Sequence, residues 1–136
     1  MDIEALISKI LDLANVVREH LAPGFYEELY EKALMIELKN AGLKAENQFP
    51  ITVYYNQEPI GDFKADIFVE DKVIIELKAV SNITAAHEAQ LVNYLTATGI
   101  DNGLLINFGN EEKIQIKRKF RTYRPKGSYL RQKYTR

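Results

Sequence analysis

Two neighbouring stretches of the sequence, 63–69 and 73–77, carry apolar residues at every odd position. This alternation is typical of β-strands that bury one face, because successive side chains point to opposite sides of a sheet. An antiparallel hairpin can match odd positions with odd positions if Val69 lies opposite Val73 across a short loop. A slip of one residue would turn a whole strand over, so the pattern fixes the register.

In this register Asp66 lies directly opposite Glu76, and Lys64 lies opposite Lys78. Directly paired side chains are roughly 5 Å apart, and diagonal ones such as Asp66 and Lys78 are about 7–8 Å apart. The sequence therefore predicts that two carboxylates and a lysine converge on the second face of the hairpin.

That second face has two interpretations. Mixed charges that alternate along a strand are commonly the solvent side of a half-buried sheet. However, Phe68 and Ile74 share the face, so we expect a helix to cover part of it. Carboxylates that face each other under such cover need a cation, because burial of an unpaired charge is costly.

The rest of the chain predicts a single α/β domain over residues 1–120, with a mixed sheet flanked by helices. Helical periodicity and turn residues delimit the other elements. The expected helices are 2–20, 25–40 and 84–98, and the expected strands are 43–49, 51–56, 60–69, 72–80, 103–108 and 113–120.

Glu27 is a third candidate carboxylate. On the second predicted helix it falls between Leu34 and Leu38, inside the apolar sector. An acidic residue at a helix start is also favourable to the helix dipole, so a purely structural role competes with a role in a site.

Composition narrows the chemistry. The chain of 136 residues has no cysteine, and its two histidines, His20 and His87, lack ligand-type spacing, so neither a disulfide framework nor a histidine-dominated metal site is expected. No apolar stretch reaches the length that spans a membrane, and no secretory leader is recognisable, so we expect a cytoplasmic protein without membrane contact.

Charge is unevenly distributed. Ten of the eighteen Lys and Arg residues follow Glu112, whereas all nineteen Asp and Glu residues lie in the first 112 positions. We expect residues 121–136 to form a basic C-terminal tail, which either attracts polyanions, folds back on the acidic body or is simply solvated.

Four ordered motifs resemble those of a known family, namely Gly24–Tyr30, Asp66, Glu76–Lys78 and Gln90–Tyr94. Asp66 followed by Glu76-Leu77-Lys78 resembles the D…ExK signature of the PD-(D/E)XK nuclease superfamily, and Gln90 with Tyr94 resembles the Q-x-x-x-Y motif of its RecB-type branch. The segment Gly24-Phe-Tyr-Glu27-Glu-Leu-Tyr30 resembles the motif that names the GxxExxY family. The likeness covers roughly residues 20–120, and Ala65 stands where the superfamily often has proline.

The resemblance implies a restriction-endonuclease-like core and Mg²⁺- or Mn²⁺-dependent hydrolysis of phosphodiester bonds. It implies that Asp66, Glu76 and the Leu77 carbonyl bind the metal, which Glu27 joins directly or through water. Lys78 would orient or deprotonate the attacking water. Gln90 and Tyr94 would contact the phosphate backbone or support Glu76 and Lys78, although helix-to-sheet packing explains these two residues almost equally well.

Three functions follow from these observations. The first is a nuclease that acts on nucleic acid, with DNA as the expected substrate, in repair or in defence against foreign DNA. The second is a non-catalytic module that keeps the fold and binds nucleic acid or a partner protein. The small, acidic body favours the second function, because it offers little surface to a substrate unless the chain forms a homodimer. The third, a metal-dependent hydrolase of another phosphate ester, lacks a small-ligand motif.

Overall fold

The computed structural model describes residues 1–123 and contains three helices and five strands in this range. In chain order these are α1 (Ile3–His20), α2 (Glu27–Asn40), β1 (Ala45–Tyr55), β2 (Glu58–Val69), β3 (Val73–Lys78), α3 (Ala85–Thr98), β4 (Asn102–Asn107) and β5 (Gln115–Phe120). The strands form one sheet in the order β1-β2-β3-β4-β5. Only the β3–β4 pair within it is parallel, so the predicted mixed sheet is confirmed.

The helix ends follow from local chemistry. Asp2 caps α1 by accepting the Ala5 N–H at 2.8 Å. Thr84 and His87 form a reciprocal capping box at the start of α3. Gly99 ends α3 in the left-handed conformation, with φ of 78°, where a residue without Cβ is favoured. This helix provides the crossover that parallel strands β3 and β4 require.

The helices cover both faces of the sheet. One face packs against α1 and α2 in a core that includes Leu34, Ile75 and Phe108. The other face packs against α3, where Phe68 and Ile74 are buried beside helix residues. The α/β fold with a helix-flanked sheet is therefore confirmed, as is the expectation that a helix covers Phe68 and Ile74.

Two of the predicted strands form a single strand in the structure. The segments 43–49 and 51–56 merge into β1, and Pro50 lies within it opposite Lys64. Proline cannot donate a ladder hydrogen bond, but β1 is an edge strand, where proline is tolerated.

No helix among residues 1–123 is both long enough and apolar enough to cross a membrane. Of the basic tail predicted over 121–136, residues 124–136 lie outside the described residues.

Candidate active site at the end of the β2–β3 hairpin

The predicted register of the hairpin is confirmed, with Val69 opposite Val73. The ladder ends two pairs further on, at Ile67 and Ile75. Beyond this point, side-chain carboxylates accept the hydrogen bonds of the backbone N–H groups. The Asp66 N–H donates to Glu76 Oε1 at 3.1 Å, and the Leu77 N–H donates to Asp66 Oδ2 at 2.7 Å. Asp66 and Glu76 are therefore linked just beyond the last ladder pair by hydrogen bonds from backbone N–H groups to their carboxylates, although the ladder does not include the predicted Asp66–Glu76 pair.

The prediction that all odd positions of β2 share one face is wrong at its N-terminal half. Ala65 packs in the core under α3, whereas Ile67 packs in the core under α1 and α2. The strand turns over at Asp66, where its neighbour in β1, Gln48, has a φ of 51° and the two residues are not paired. The β2–β3 ladder also ends before Lys64, so the expected pairing of Lys64 with Lys78 does not form.

Burial makes the carboxylate pair electrostatically unfavourable. Glu76 is only 5% exposed, and its burial, followed by the negative charge of Asp66, raises its pKa to about 8. Burial also raises the pKa of Asp66, against hydrogen bonds from the Leu77 N–H and the Gln48 side chain that lower it. Two carboxylates that cannot both ionise without cost attract a cation.

Helix α2 brings Glu27 to the same place. Burial raises the pKa of Glu27, followed by the charge of Asp66, while the charge of Lys78 lowers it. Glu27 is the first residue of α2, so the structure also satisfies the alternative of a helix-start acid.

Tyr30 holds the start of α2 in position. Its hydroxyl donates to the Ala22 carbonyl at 2.6 Å and accepts the Phe25 N–H at 3.2 Å. Its ring is fully buried and stacks on Phe108, with centroids 4.8 Å apart. Tyr30 is thus a packing residue.

Glu31 is a site residue that sequence reasoning missed. It is only 8% exposed, and its carboxylate accepts hydrogen bonds from Asn47 Nδ2 at 3.3 Å and Gln48 Nε2 at 2.7 Å. Its negative charge contributes to the raised pKa of both Asp66 and Glu27. The available signal was its position one helical turn after Glu27, on the same face of α2.

Lys78 provides the positive charge of this cluster. It lies at the end of β3, and its charge lowers the pKa of Asp66, Glu76 and Glu27 alike. Within residues 1–123 it makes no direct ion pair with a carboxylate. Its ammonium thus acts on all three carboxylates without being bound to one of them.

The two residues of the Q-x-x-x-Y motif line a groove beside the carboxylates. Tyr94 is 7% exposed, its ring lies 5.7 Å from that of Phe63, and its pKa is raised by burial and then by the charges of Glu76 and Asp66. Gln90 is exposed and makes no hydrogen bond to Glu76 or Lys78 in the described chain. The groove measures about 530 Å³, and its lining is Val53, Phe63, Ala86, Ala89, Gln90, Asn93, Tyr94, Thr96 and Ala97.

The donor set suits a hard divalent cation. Among residues 1–123, no three His, Cys, Asp or Glu side chains are grouped closely enough to enclose a metal ion. Mg²⁺, however, is commonly bound through one or two carboxylates, with waters and substrate phosphates completing its shell. The adjacent carboxylates of Asp66 and Glu76 fit this requirement, and the Leu77 carbonyl is a further oxygen at the same strand end.

Some of the basic residues that follow Glu112 pair with acidic side chains elsewhere in the described chain. Arg118 bonds Glu4 at 2.7 Å and Lys119 bonds Glu88 at 3.1 Å. Arg121, the first residue of the predicted tail, bonds Asp101 at 2.8 Å, whereas Arg118 and Lys119 belong to β5.

Comparison with known proteins agrees with this geometry. A family model described as the PD-(D/E)XK nuclease superfamily matches residues 4–119. The crystal structure of SSO0001 is similar over 69% of this chain and 50% of that protein, with 19% sequence identity and a TM-score of 0.56. The chain thus spans half the length of that protein, and at this identity the likeness concerns the fold. No curated protein matches the sequence.

Proposed function

The chain belongs to the PD-(D/E)XK nuclease superfamily, and from this premise we propose that it is a Mg²⁺- or Mn²⁺-dependent nuclease that hydrolyses phosphodiester bonds of nucleic acid, with DNA as the expected substrate. The observation that carries the proposal is the meeting of Asp66, Glu76 and Lys78 at the end of the hairpin. A structural role would not need Asp66 and Glu76 to lie together at a partly buried strand end, because their mutual repulsion costs stability.

In this proposal Asp66, Glu76 and the Leu77 carbonyl hold the divalent cation, and Glu27 contributes directly or through water. The bound cation supplies polarisation of the phosphate and stabilisation of the leaving oxygen. Lys78 orients the attacking water and holds positive charge close to the scissile phosphate. Its effect on the pKa values of all three carboxylates supports this central position.

We assign substrate contact to Gln90 and Tyr94. Both line the groove of about 530 Å³, and the carboxylates raise the pKa of the Tyr94 phenol, so the groove adjoins the proposed metal site. A nucleic-acid strand in the groove would therefore bring a phosphate close to Asp66 and Glu76.

Within the superfamily, we propose that the chain is a member of the GxxExxY family. Each residue of the motif has a structural reason in this chain. Gly24 has a φ of 118°, Glu27 faces the site, and Tyr30 ties the loop to α2.

A non-catalytic binding module is the second candidate. The pairing of Arg118, Lys119 and Arg121 with acidic residues leaves these cations less able to neutralise phosphates, which favours a partner protein over nucleic acid as the ligand of such a module. The two candidates differ in whether Lys78 matters for turnover.

The deciding experiment is Lys78→Ala, assayed on single-stranded and duplex nucleic acid with Mg²⁺ or Mn²⁺. We expect kcat to fall by about 10²–10⁴-fold, the usual range for loss of a group that activates water, while Mn²⁺ binding is retained. Lys64→Ala is the matched control, because Lys64 is an exposed lysine of the same hairpin. Equal activity of both variants would contradict the role of Lys78, and a wild type that binds but never cuts would favour the binding module.

A further inference from the structure

Gln48 has a backbone conformation that its strand does not require. It lies inside β1 with a φ of 51°, in the left-handed region that residues with a Cβ rarely adopt. On either side of it the ladder is regular, with Asn47 paired to Ile67 and Phe49 paired to Ala65. The unpaired position opposite Gln48 is Asp66, so the irregularity falls on a residue of the candidate site.

The side chain of Gln48 connects two carboxylates. Its Nε2 donates to Glu31 Oε1 at 2.7 Å, and its side chain lies close enough to Asp66, the residue opposite it in β2, to lower the pKa of that carboxyl. A primary amide has two N–H donors, so one amide can serve both acceptors. Asn47 Nδ2 donates to the other oxygen of Glu31 at 3.3 Å, so the Glu31 carboxylate is held from two directions.

We infer that Gln48 is a positioning residue, which is held by Glu31 and orients the Asp66 carboxylate for a divalent cation. The inference rests on the proposed function. Asp66 is then fixed from two sides, by Gln48 and by the Leu77 N–H on Oδ2 at 2.7 Å. Hydrogen-bond partners that orient ligating carboxylates commonly change metal affinity by about 10–100-fold when they are removed.

The backbone conformation separates this role from a role in stability. A left-handed residue with a side chain lowers stability and persists where the surroundings enforce it, often at functional sites. If Gln48 served only the fold, glycine would be the better residue, because it adopts positive φ without a steric penalty. The side chain is what glycine would lack, and its acceptors are the carboxylates of Glu31 and Asp66.

The test compares Gln48→Ala with Gln48→Gly by Mn²⁺ calorimetry and thermal unfolding. Both variants lose the amide, so we expect both to bind Mn²⁺ at least about tenfold more weakly, by equal factors. Only glycine removes the cost of the positive φ, so Gln48→Gly should melt about 2–5 °C above Gln48→Ala. Gln57, with a φ of 69° in the β1–β2 turn, is the matched control. Its Ala and Gly variants should show the same order of melting with unchanged Mn²⁺ affinity.

Three results would overturn the inference. The first is wild-type Mn²⁺ affinity in both Gln48 variants. The second is an affinity that follows the melting temperature, so that Gln48→Ala binds more weakly than Gln48→Gly. The third is a Gln48→Gly variant that fails to fold, because the side chain would then serve the fold.

Asp66→Asn separates this inference from the proposed function. A site lost in Asp66→Asn but kept in the Gln48 variants contradicts the role of Gln48 alone, whereas a wild type without a Mn²⁺ site contradicts both.

Discussion

The raised pKa of Glu76 predicts how the stability of the metal-free protein depends on pH. The pKa of Glu76 is raised from 4.5 to about 8, so between these values the folded protein retains a proton that the unfolded chain has released. The free energy of unfolding must then fall as the pH rises through this window, because stability decreases with pH wherever the folded state binds more protons. Below 4.5 both states are protonated and the penalty is absent; above about 8 it is complete.

The magnitude has an upper limit. One proton is worth about 1.4 kcal/mol per pH unit, so a pKa raised from 4.5 to about 8 corresponds to at most about 5 kcal/mol. Asp66 titrates with Glu76, and its pKa is raised in the same direction, so the loss belongs to the pair. We expect a few kcal/mol between pH 5 and pH 8, which is a large part of the roughly 5–15 kcal/mol that stabilises a domain.

Urea unfolding in EDTA, followed by circular dichroism because the chain has no tryptophan, measures this slope. Glu76→Gln should flatten it, since the amide keeps an oxygen to accept the Asp66 N–H and cannot ionise. Glu28→Gln, a change at an exposed glutamate of α2, should leave the slope as in wild type. Mn²⁺ should stabilise the wild type more at pH 8 than at pH 5, because it binds the ionised carboxylates. A wild-type slope equal to that of Glu76→Gln would refute the reasoning.

Three further outcomes are expected. Calorimetry with Mg²⁺ or Mn²⁺ should detect a site in the wild type that Asp66→Ala and Glu76→Ala both lose, with weak affinity when substrate is absent. Deletion of residues 124–136, which removes five of the Lys and Arg residues, should flatten the dependence of nucleic-acid affinity on salt. Tyr30→Phe should lower the free energy of unfolding by about 1–2 kcal/mol, because the buried Tyr30 side chain loses its hydrogen bond to the Ala22 carbonyl at 2.6 Å.

For each of these predictions, one result would contradict it. Equal Mn²⁺ binding in the wild type and both alanine variants would remove Asp66 and Glu76 from the metal site. An unchanged salt slope would show that the deleted segment does not contact phosphates. For Tyr30 the control is Tyr26→Phe, at a residue that is 82% exposed. An equal loss of unfolding free energy in the two variants would show that the buried hydroxyl contributes no more to stability than an exposed one.

The hairpin was predictable because its chemistry is periodic. Alternation from 63 to 77 indicated the partner of Val69, and the same register pointed to Asp66 and Glu76, which lie one position beyond the last ladder pair and are linked there by side-chain hydrogen bonds. The same alternation gave a wrong face for Ala65, because it assumes a regular ladder throughout β2. The ladder is interrupted at Gln48, and no periodic signal marks a glutamine with positive φ. Apolar alternation describes the regular parts of a strand, whereas the candidate site lies where the regular ladder ends.

Glu31 shows a different limit of sequence reasoning. Glu27 stood out because it interrupts an apolar sector, but Glu31 is also nearly buried on the same helix. Its burial is tolerated because the amides of Asn47 and Gln48, from a strand that begins 14 residues later, satisfy its carboxylate. A helical wheel places Glu31 on the same face as Glu27, but it contains no information about partners on another element and so could not show that Asn47 and Gln48 bind the Glu31 carboxylate.

The hydrogen bonds at the hairpin end explain how a hairpin without a metal cage can still be organised for a cation. The Asp66 N–H and the Leu77 N–H each bind one oxygen of the opposite carboxylate. A carboxylate has two oxygens with about four lone pairs between them, so each retains acceptor capacity for a cation. In the proposed metal site the backbone thus orients both groups in advance, so that binding of a cation would cost less ordering entropy. The raised pKa of Glu76 is then the cost of keeping the two carboxylates together, and a divalent cation would relieve it.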